Sequence, residues 1–99
     1  MSPDIPSFLK LKVITPTKVL VDDTVKEVSL PSLEGSLGIL PGHRHLLVAL
    51  GRGDITCRRA HGEERFAVNG GYARVLPDSV LVFTESSKDE LSQPDEGQG

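Results

Sequence analysis

The stretch that decides the fold is VSLPSLEGSLGILPGHRHLLVAL, residues 28–50, in which glycine and proline interrupt short apolar runs. The interrupting residues are Pro31, Gly35, Gly38, Pro41 and Gly42. An α-helix does not tolerate them at these spacings, because proline lacks a backbone donor and glycine favours turns and close backbone approach. We therefore predict sharp turns around Leu33–Gly38 and at Pro41-Gly42, with short strands beside them.

The rest of the chain continues this pattern of short strands and turns. Leu9, Leu11 and Val13 alternate with two lysines, which predicts a strand with one buried face. Further strands are predicted at 18–21, 25–30, 37–40, 46–50, 55–59, 64–68, 72–76 and 80–84. Turns are predicted at 15–17, 51–54, 61–63, 69–71 and 77–78, with a break at Asp22-Asp23.

Asn69-Gly70-Gly71 carries the strongest local hairpin signal, because Asn-Gly readily adopts the positive φ of a primed turn. Regularly spaced short strands with turns between them are typical of an antiparallel sandwich. We predict an all-β fold, a small antiparallel β-sandwich of about ten short strands.

The chain of 99 residues is long enough for one small domain. We divide it into an N-terminal arm at 1–7, the sandwich domain at 8–85 and a polar tail at 86–99. The tail contains one lysine and four acidic residues, so the whole net charge of −3 comes from it. We expect this tail to be disordered or to form a single helical turn after a capping pattern at Ser87.

Composition excludes several classes of function. There is no basic stripe with interleaved aromatic residues, so nucleic-acid binding is not predicted. No apolar run approaches the length of a membrane span, so direct membrane insertion is not predicted. The single cysteine cannot form an internal disulfide, which fits a reducing compartment.

No catalytic, cofactor-binding or metal-ligating residue is assigned. Four residues resemble a metal ligand set, namely His43, His45, Cys57 and His61, but they show no recognised zinc spacing. Cys57 alternates with Ile55 and is expected to face the core. Two alternatives to a structural role stay open: a free-standing small-ligand-binding β-sandwich and a histidine-based metal-binding protein.

The order of several short motifs resembles one protein family. These motifs are Ser29-Leu30-Pro31, Glu34-Gly35, the run GILPGH at 38–43, Leu46-Leu47 and Gly70-Gly71. Together they are similar to the ε subunit of F-type ATP synthases, whose mitochondrial counterpart is called δ. The resemblance covers about residues 9–85. It implies a β-sandwich that holds the γ subunit on one side and abuts the c-ring at one end.

The resemblance also implies a function and a set of contact residues. We expect a non-catalytic central-stalk subunit that supports coupling of proton transport to ATP synthesis. It would be peripheral to the cytoplasmic face of a bacterial inner membrane, attached through its partners. The positions implied at the c-ring end are Glu34, Gly35, Ser36, Leu37, Gly38, Pro41, Gly42, His43 and Arg44.

This sequence departs from the family pattern in two respects. Ser36 stands where many relatives carry an acidic residue, and Arg44-His45 stands where many have Ala-Pro. Fourteen residues follow Glu85, so we expect the two-helix domain of the family to be missing from this chain.

Overall fold

The structure is a computed structural model and describes residues 6–85. Nine β-strands and no helix occur in this part of the chain. They are β1 (Leu9–Ile14), β2 (Val19–Val25), β3 (Glu27–Ser32), β4 (Gly35–Ile39), β5 (Leu46–Ala49), β6 (Arg52–Arg59), β7 (Gly62–Asn69), β8 (Tyr72–Leu76) and β9 (Ser79–Phe83).

The strands form two sheets that pack face to face. Sheet A has the order β2-β1-β9-β8-β5, and sheet B has the order β4-β3-β6-β7. All strand pairs in the described residues are antiparallel except β1 and β9, which run parallel. The predicted fold class, an all-β and mainly antiparallel sandwich, is confirmed. The parallel pair joins strands from opposite ends of the sequence, so no local pattern could reveal it.

The core between the sheets is aliphatic. Leu9, Leu11 and Val13 of β1 are fully buried, whereas Lys10 and Lys12 are exposed, as their alternation predicts. The other buried apolar residues are Val21, Val25, Val28, Leu30, Ile39, Val48, Leu50, Ile55, Cys57, Val68, Ala73, Val75, Val80 and Val82. Each buried valine or leucine contributes about 1.5–3 kcal/mol relative to an exposed one, so this set determines which face of each strand points inward.

Three predicted turns are confirmed as hairpin connections. Residues 15–17 join β1 to β2, where the Thr15 hydroxyl accepts hydrogen bonds from the Thr17 and Lys18 amides at 3.3 and 3.2 Å. The turn predicted at 61–63 lies slightly earlier, at residues 60–61, and Gly62 with φ +143° begins β7. Residues 77–78 join β8 to β9. In each case a residue suited to turns lies where the chain reverses.

Two predicted interruptions are wrong, because strands continue through them. Strand β2 runs without a break through Asp22-Asp23. It is an edge strand of sheet A, where charged residues are tolerated and discourage pairing with another chain. Strand β6 begins at Arg52, which lies opposite Asn69, so the predicted turn at 51–54 shrinks to Gly51.

Asn69-Gly70-Gly71 does not form the predicted hairpin. Strand β7 belongs to sheet B and β8 to sheet A, so this segment carries the chain from one sheet to the other. The positive φ predicted for Asn69-Gly70 is present at Gly70 (+82°) but not at Asn69, and Gly71 also has a positive φ (+109°). The Thr84 hydroxyl donates a hydrogen bond to the Gly70 carbonyl at 2.9 Å and ties this crossing to the end of β9.

The expected arm at 1–7 is described only at residues 6 and 7, and the expected tail at 86–99 lies outside the described residues.

The crossing gives the first testable prediction. A Cβ added at Gly71 would lie 2.0 Å from the Phe83 carbonyl oxygen, whereas one added at Gly70 would meet nothing within 4 Å. We expect Gly70→Ala to lose about 1–3 kcal/mol of stability through backbone strain alone. Gly71→Ala should lose a further ~1–3 kcal/mol, because the backbone of β9 must move.

Urea unfolding of both variants measures the two losses. Gly38→Ala is the matched control, because its φ is not positive and the space around it is open. Equal losses for Gly70→Ala and Gly71→Ala would contradict the close contact with Phe83.

Candidate functional site

The hairpin tip between β3 and β4 is the most exposed part of the predicted contact set. Ser32 pairs with Gly35, which leaves Leu33 and Glu34 as a two-residue turn. Gly35 has φ +126°, a conformation that favours glycine. The Ser32 hydroxyl donates a hydrogen bond to the Gly35 carbonyl at 2.6 Å and accepts one from the Glu34 amide at 3.2 Å. Leu33 is 71% exposed.

Backbone hydrogen bonds fasten this tip to sheet A. The Leu33 amide donates to the Ala49 carbonyl at 3.0 Å. The Gly51 amide donates to the Pro31 carbonyl at 2.8 Å. A bridge between Ser32 and Leu50 completes the attachment. The tip is thus held by main-chain contacts on both sides, although its side chains face solvent.

The middle of the predicted set lies in β4, an edge strand of sheet B. Gly35, Ser36 and Gly38 are exposed, and Leu37 is half-buried against the core. The Ser36 and Ser29 hydroxyls are hydrogen-bonded to each other at 3.0 Å. The sharp bend therefore occupies only Leu33–Gly35, and the rest of the predicted turn is regular strand.

Pro41, Gly42, His43 and Arg44 form a second turn, between β4 and β5. Gly42 has φ +87°, and its amide donates a hydrogen bond to the Pro77 carbonyl at 2.8 Å. The Nδ1 atom of His43 lies 3.0 Å from the Arg44 carbonyl oxygen. This turn therefore sits beside the β8–β9 hairpin.

The two turns lie at opposite ends of β4 and β5. The β3–β4 tip is bonded to Ala49, at the end of β5, whereas the Pro41-Gly42 turn precedes the start of β5. The four intervals of β4 alone separate them by roughly 14 Å. The expectation that both turns lie at one end of the domain is therefore wrong. Whether either turn contacts a ring remains a prediction.

An apolar groove runs between β4 and β5, the adjoining edge strands of the two sheets. It has a volume of about 370 Å³ and is lined by Ser32, Leu33, Glu34, Leu37 and residues 46–49. Leu47 is 68% exposed on its wall. Residues 46–49 were not predicted to be part of the site. The sequence contains a signal for this surface, because Leu46 and Leu47 are consecutive in one strand and must point to opposite faces. One of the two leucines is therefore expected to face outward.

The histidine and cysteine candidates are not brought together as a metal site. Within residues 6–85, no group of three or more histidine, cysteine or acidic residues could hold an ion. Cys57 is buried in the core, as predicted. Burial raises the pKa of the Cys57 thiol above its ordinary value of 9.0, although the neighbouring Arg59 lowers it in part.

Three ion pairs involve the end of β6. Arg58 contacts Glu27 at 2.7 Å, and Arg59 contacts Asp23 of β2 at 3.0 Å and also Glu64 of β7. Asp23 belongs to sheet A and Glu64 to sheet B. Arg59 therefore links the two sheets along one side.

The comparisons with known proteins agree on one family. Residues 8–89 match the family described as "ATP synthase, Delta/Epsilon chain, beta-sandwich domain". An ATP synthase epsilon chain of Moorella thermoacetica is 38% identical over 81 residues, which cover 81% of this chain and 60% of that protein. An ATP synthase epsilon chain of Sulfurovum sp. is 44% identical over 81 residues, which cover 81% of this chain and 63% of that protein.

Two solved structures share the fold. One is a chain from the Euglena gracilis mitochondrial ATP synthase assembly of OSCP, F1 and c-ring, with a TM-score of 0.81, 21% identity and coverage of 99% of this chain and 62% of that chain. The other is from the central stalk and c-ring of Tetrahymena thermophila mitochondrial ATP synthase, with a TM-score of 0.68, 18% identity and coverage of 90% and 75%. The chain spans about 60% of the length of the curated relatives it matches.

No helix in residues 6–85 is long and apolar enough to cross a membrane.

The buried thiol gives a second testable prediction, on the pH dependence of stability. Above pH 9.0 the Cys57 thiol ionises in the unfolded chain but stays protonated when folded, because its folded pKa is raised. The folded state then binds more protons than the unfolded state, so stability falls as the pH rises. Below pH 9.0 this effect is absent.

Urea midpoints between pH 7 and about 10.5 measure this effect, with Cys57→Ala as the reference. The wild type should lose more stability than Cys57→Ala over the upper part of this range. Parallel pH profiles for the two proteins would mean that Cys57 is exposed to solvent in the folded chain.

Proposed function

The chain belongs to the ATP synthase delta/epsilon β-sandwich family, and on that premise we propose that it is a non-catalytic central-stalk subunit joining the γ subunit to the c-ring. Relatives named ATP synthase epsilon chain support this proposal. An assembly of OSCP, F1 and c-ring and an assembly of central stalk and c-ring contain chains of the same fold. In this role the chain supports the coupling of proton transport to ATP synthesis and carries out no chemistry itself.

One observation carries the proposal: an exposed tip is held rigidly by main-chain hydrogen bonds. Leu33 and Glu34 present their side chains to solvent, while the Leu33 amide is bonded to Ala49 of the opposite sheet and Pro31, just before the tip, is bonded to Gly51. A subunit that connects two parts of a rotor transmits torque only if it does not deform. A tip bonded to both sheets meets that requirement better than a free loop, whose backbone opens at low cost.

We assign the ring contact to this tip and the γ contact to the groove between β4 and β5. Glu34 can accept charge-assisted hydrogen bonds from a polar loop of the ring. Leu33, Leu37 and Leu47 offer an apolar surface of the kind found at the centre of protein interfaces. The Pro41-Gly42 turn lies at the far end of the groove, so His43 and Arg44 would contact γ and not the ring.

The proposed place of the chain in the cell follows from these contacts. It would be peripheral at the cytoplasmic face of a bacterial inner membrane, held there by γ and the c-ring as part of the ATP synthase.

The ring contact can be tested by reversing the charge at the tip. Glu34→Lys should leave the domain folded, within about 0.5 kcal/mol of the wild type, because the side chain is exposed. At the ring it replaces attraction by repulsion, which can cost several kcal/mol. We expect a normal melt of the purified variant and reduced proton-coupled ATP synthesis in membranes that carry it.

Glu63→Lys is the matched control, because Glu63 is an exposed acid at the other end of sheet B. Full coupling with Glu34→Lys, at normal assembly, would remove the ring contact from this tip. Unfolding of the variant would make Glu34 structural.

The γ contact can be tested by copurification. Leu47→Ser should weaken retention of γ by about tenfold or more, because it removes an exposed apolar side chain from the groove. Leu40→Ser is the control, since Leu40 is 54% exposed but does not line the groove.

Equal retention of γ by both variants would contradict the assignment. Copurification of a small molecule or a metal with the wild type, without γ, would favour the alternative functions.

A further inference from the structure

The outer face of sheet A carries an apolar row that crosses all five strands. Neighbouring residues in this row are paired in the register Val19–Ile14–Phe83–Tyr72–Ala49. Val19 is 52% exposed and Tyr72 48% exposed, and the rings of Tyr72 and Phe83 lie 5.1 Å apart. At about 4.8 Å between strands, the row is roughly 19 Å long. An exposed apolar patch of this extent marks an interaction surface.

A second row beside it adds positive charge. Its register is Asp22–Lys12–Leu81–Arg74–Leu47. It lies about 6.8 Å from the first row, two residues along four of the strands and three along β2, where the register shifts. Lys10 extends the positive side, opposite Ser79. None of Lys10, Lys12 and Arg74 takes part in an ion pair among the residues that the structure describes.

The outer face of sheet B differs from that of sheet A in its charge balance and in its apolar content. Its three arginines, Arg52, Arg58 and Arg65, are matched in number by Glu27, Asp54 and Glu63, and Arg58 forms an ion pair with Glu27. Its hydroxyls at Ser29 and Ser36 are hydrogen-bonded to each other. This face has neutralised its own charges and carries no apolar row, as expected of a sheet face in contact with water.

We propose that the outer face of sheet A binds an amphipathic α-helix of a partner protein, whose apolar stripe is flanked by aspartate and glutamate. A helix is the element that covers a sheet face in layered folds. Its diameter of about 10 Å spans both rows, so the apolar stripe lies on Tyr72 and Phe83 while the flanking carboxylates reach Lys12 and Arg74. The unpaired cations select acidic flanks.

This surface shares Leu47 with the groove and otherwise lies outside the two contacts assigned above. Leu47 belongs to the second row and also lines the groove between β4 and β5. A partner seated in the groove can therefore continue over this face without a gap. The inference depends only on the chemistry of the face and stands whether or not the chain belongs to a central stalk.

The test uses the purified chain and two labelled helical peptides of about 18 residues, long enough to cross the row. Both carry the same leucine stripe; one has glutamate flanks and the other lysine flanks. Fluorescence anisotropy should show that the wild type binds the glutamate peptide at least about tenfold more tightly, and that added salt weakens this binding.

Variants then locate the site. Arg74→Glu should weaken binding of the glutamate peptide about tenfold and strengthen binding of the lysine peptide. Tyr72→Ser should weaken both. Arg65→Glu makes the same charge change on the outer face of sheet B and should change affinity by less than about twofold. Lys12→Glu is a second variant if Arg74→Glu unfolds, as judged by circular dichroism.

Five outcomes would overturn the proposal. Equal affinity for the two peptides would show that the face does not select acidic flanks. A loss of affinity with Arg65→Glu equal to that with Arg74→Glu would show that the site is not specific to sheet A. A concentration-dependent dimer abolished by Tyr72→Ser makes a second copy the occupant. Tighter peptide binding after deletion of residues 86–99 makes the chain's own acidic segment the occupant. Binding to phosphatidylglycerol vesicles that is lost in Arg74→Glu, without peptide binding, makes the face a lipid contact.

Discussion

The close fit of the Gly71 backbone against the Phe83 carbonyl is the constraint on which one end of the sandwich depends. No side chain can occupy this position, because its first atom would lie 2.0 Å from that oxygen. A second crossing lies beside it at Gly51, where the chain passes from β5 of sheet A to β6 of sheet B. Two hydrogen bonds join the crossings: the Leu50 amide donates to the Gly71 carbonyl, and the Gly70 amide donates to the Gly51 carbonyl. The two crossings hold each other, and the β3–β4 tip is attached to this shared backbone.

The fold could be predicted where a residue's preference and its environment agree. Leu11 and its neighbours alternate because one face of β1 is buried, and this needs no knowledge of the partner strand. Asn69-Gly70 shows where local reasoning ends. Its positive φ is a local property and was predicted, but the same dihedral serves a hairpin and a crossing between sheets equally well. Only the distribution of strands between the sheets decides which one forms. The break predicted at Asp22-Asp23 was wrong for a related reason. An edge strand tolerates charged residues, and the local sequence does not show that β2 is an edge strand.

The candidate site could be predicted in part. Glu34 was placed in a turn at 33–38 from the local spacing of glycines, and it was assigned to the contact through the resemblance. His43 was grouped with it through a positional resemblance, and closeness in sequence suggested closeness in space. A strand between the two segments carries them apart by roughly 3.4 Å per residue, so nine residues of mostly extended chain join opposite ends of the domain. The groove was missed because its walls come from two sheets, and Leu47 acquires its role only when β4 and β5 lie side by side.

The contrast between the two outer faces shows how a small sandwich divides its surface. In the core, burial alone determines which positions of each strand are apolar, and aliphatic side chains fill the space between the sheets. On the outer face of sheet B, Arg52, Arg58 and Arg65 are balanced by Glu27, Asp54 and Glu63, so this face has no net charge with which to attract a partner. Arg74 stands opposite Leu81 and Leu47 and has no carboxylate beside it. An isolated domain gains nothing from such an arrangement, because the exposed apolar row costs hydration free energy and the unpaired charges contribute no stability. The arrangement becomes favourable only when a partner supplies the missing apolar contact and negative charge, and this makes sheet A the side on which the chain is incomplete by itself.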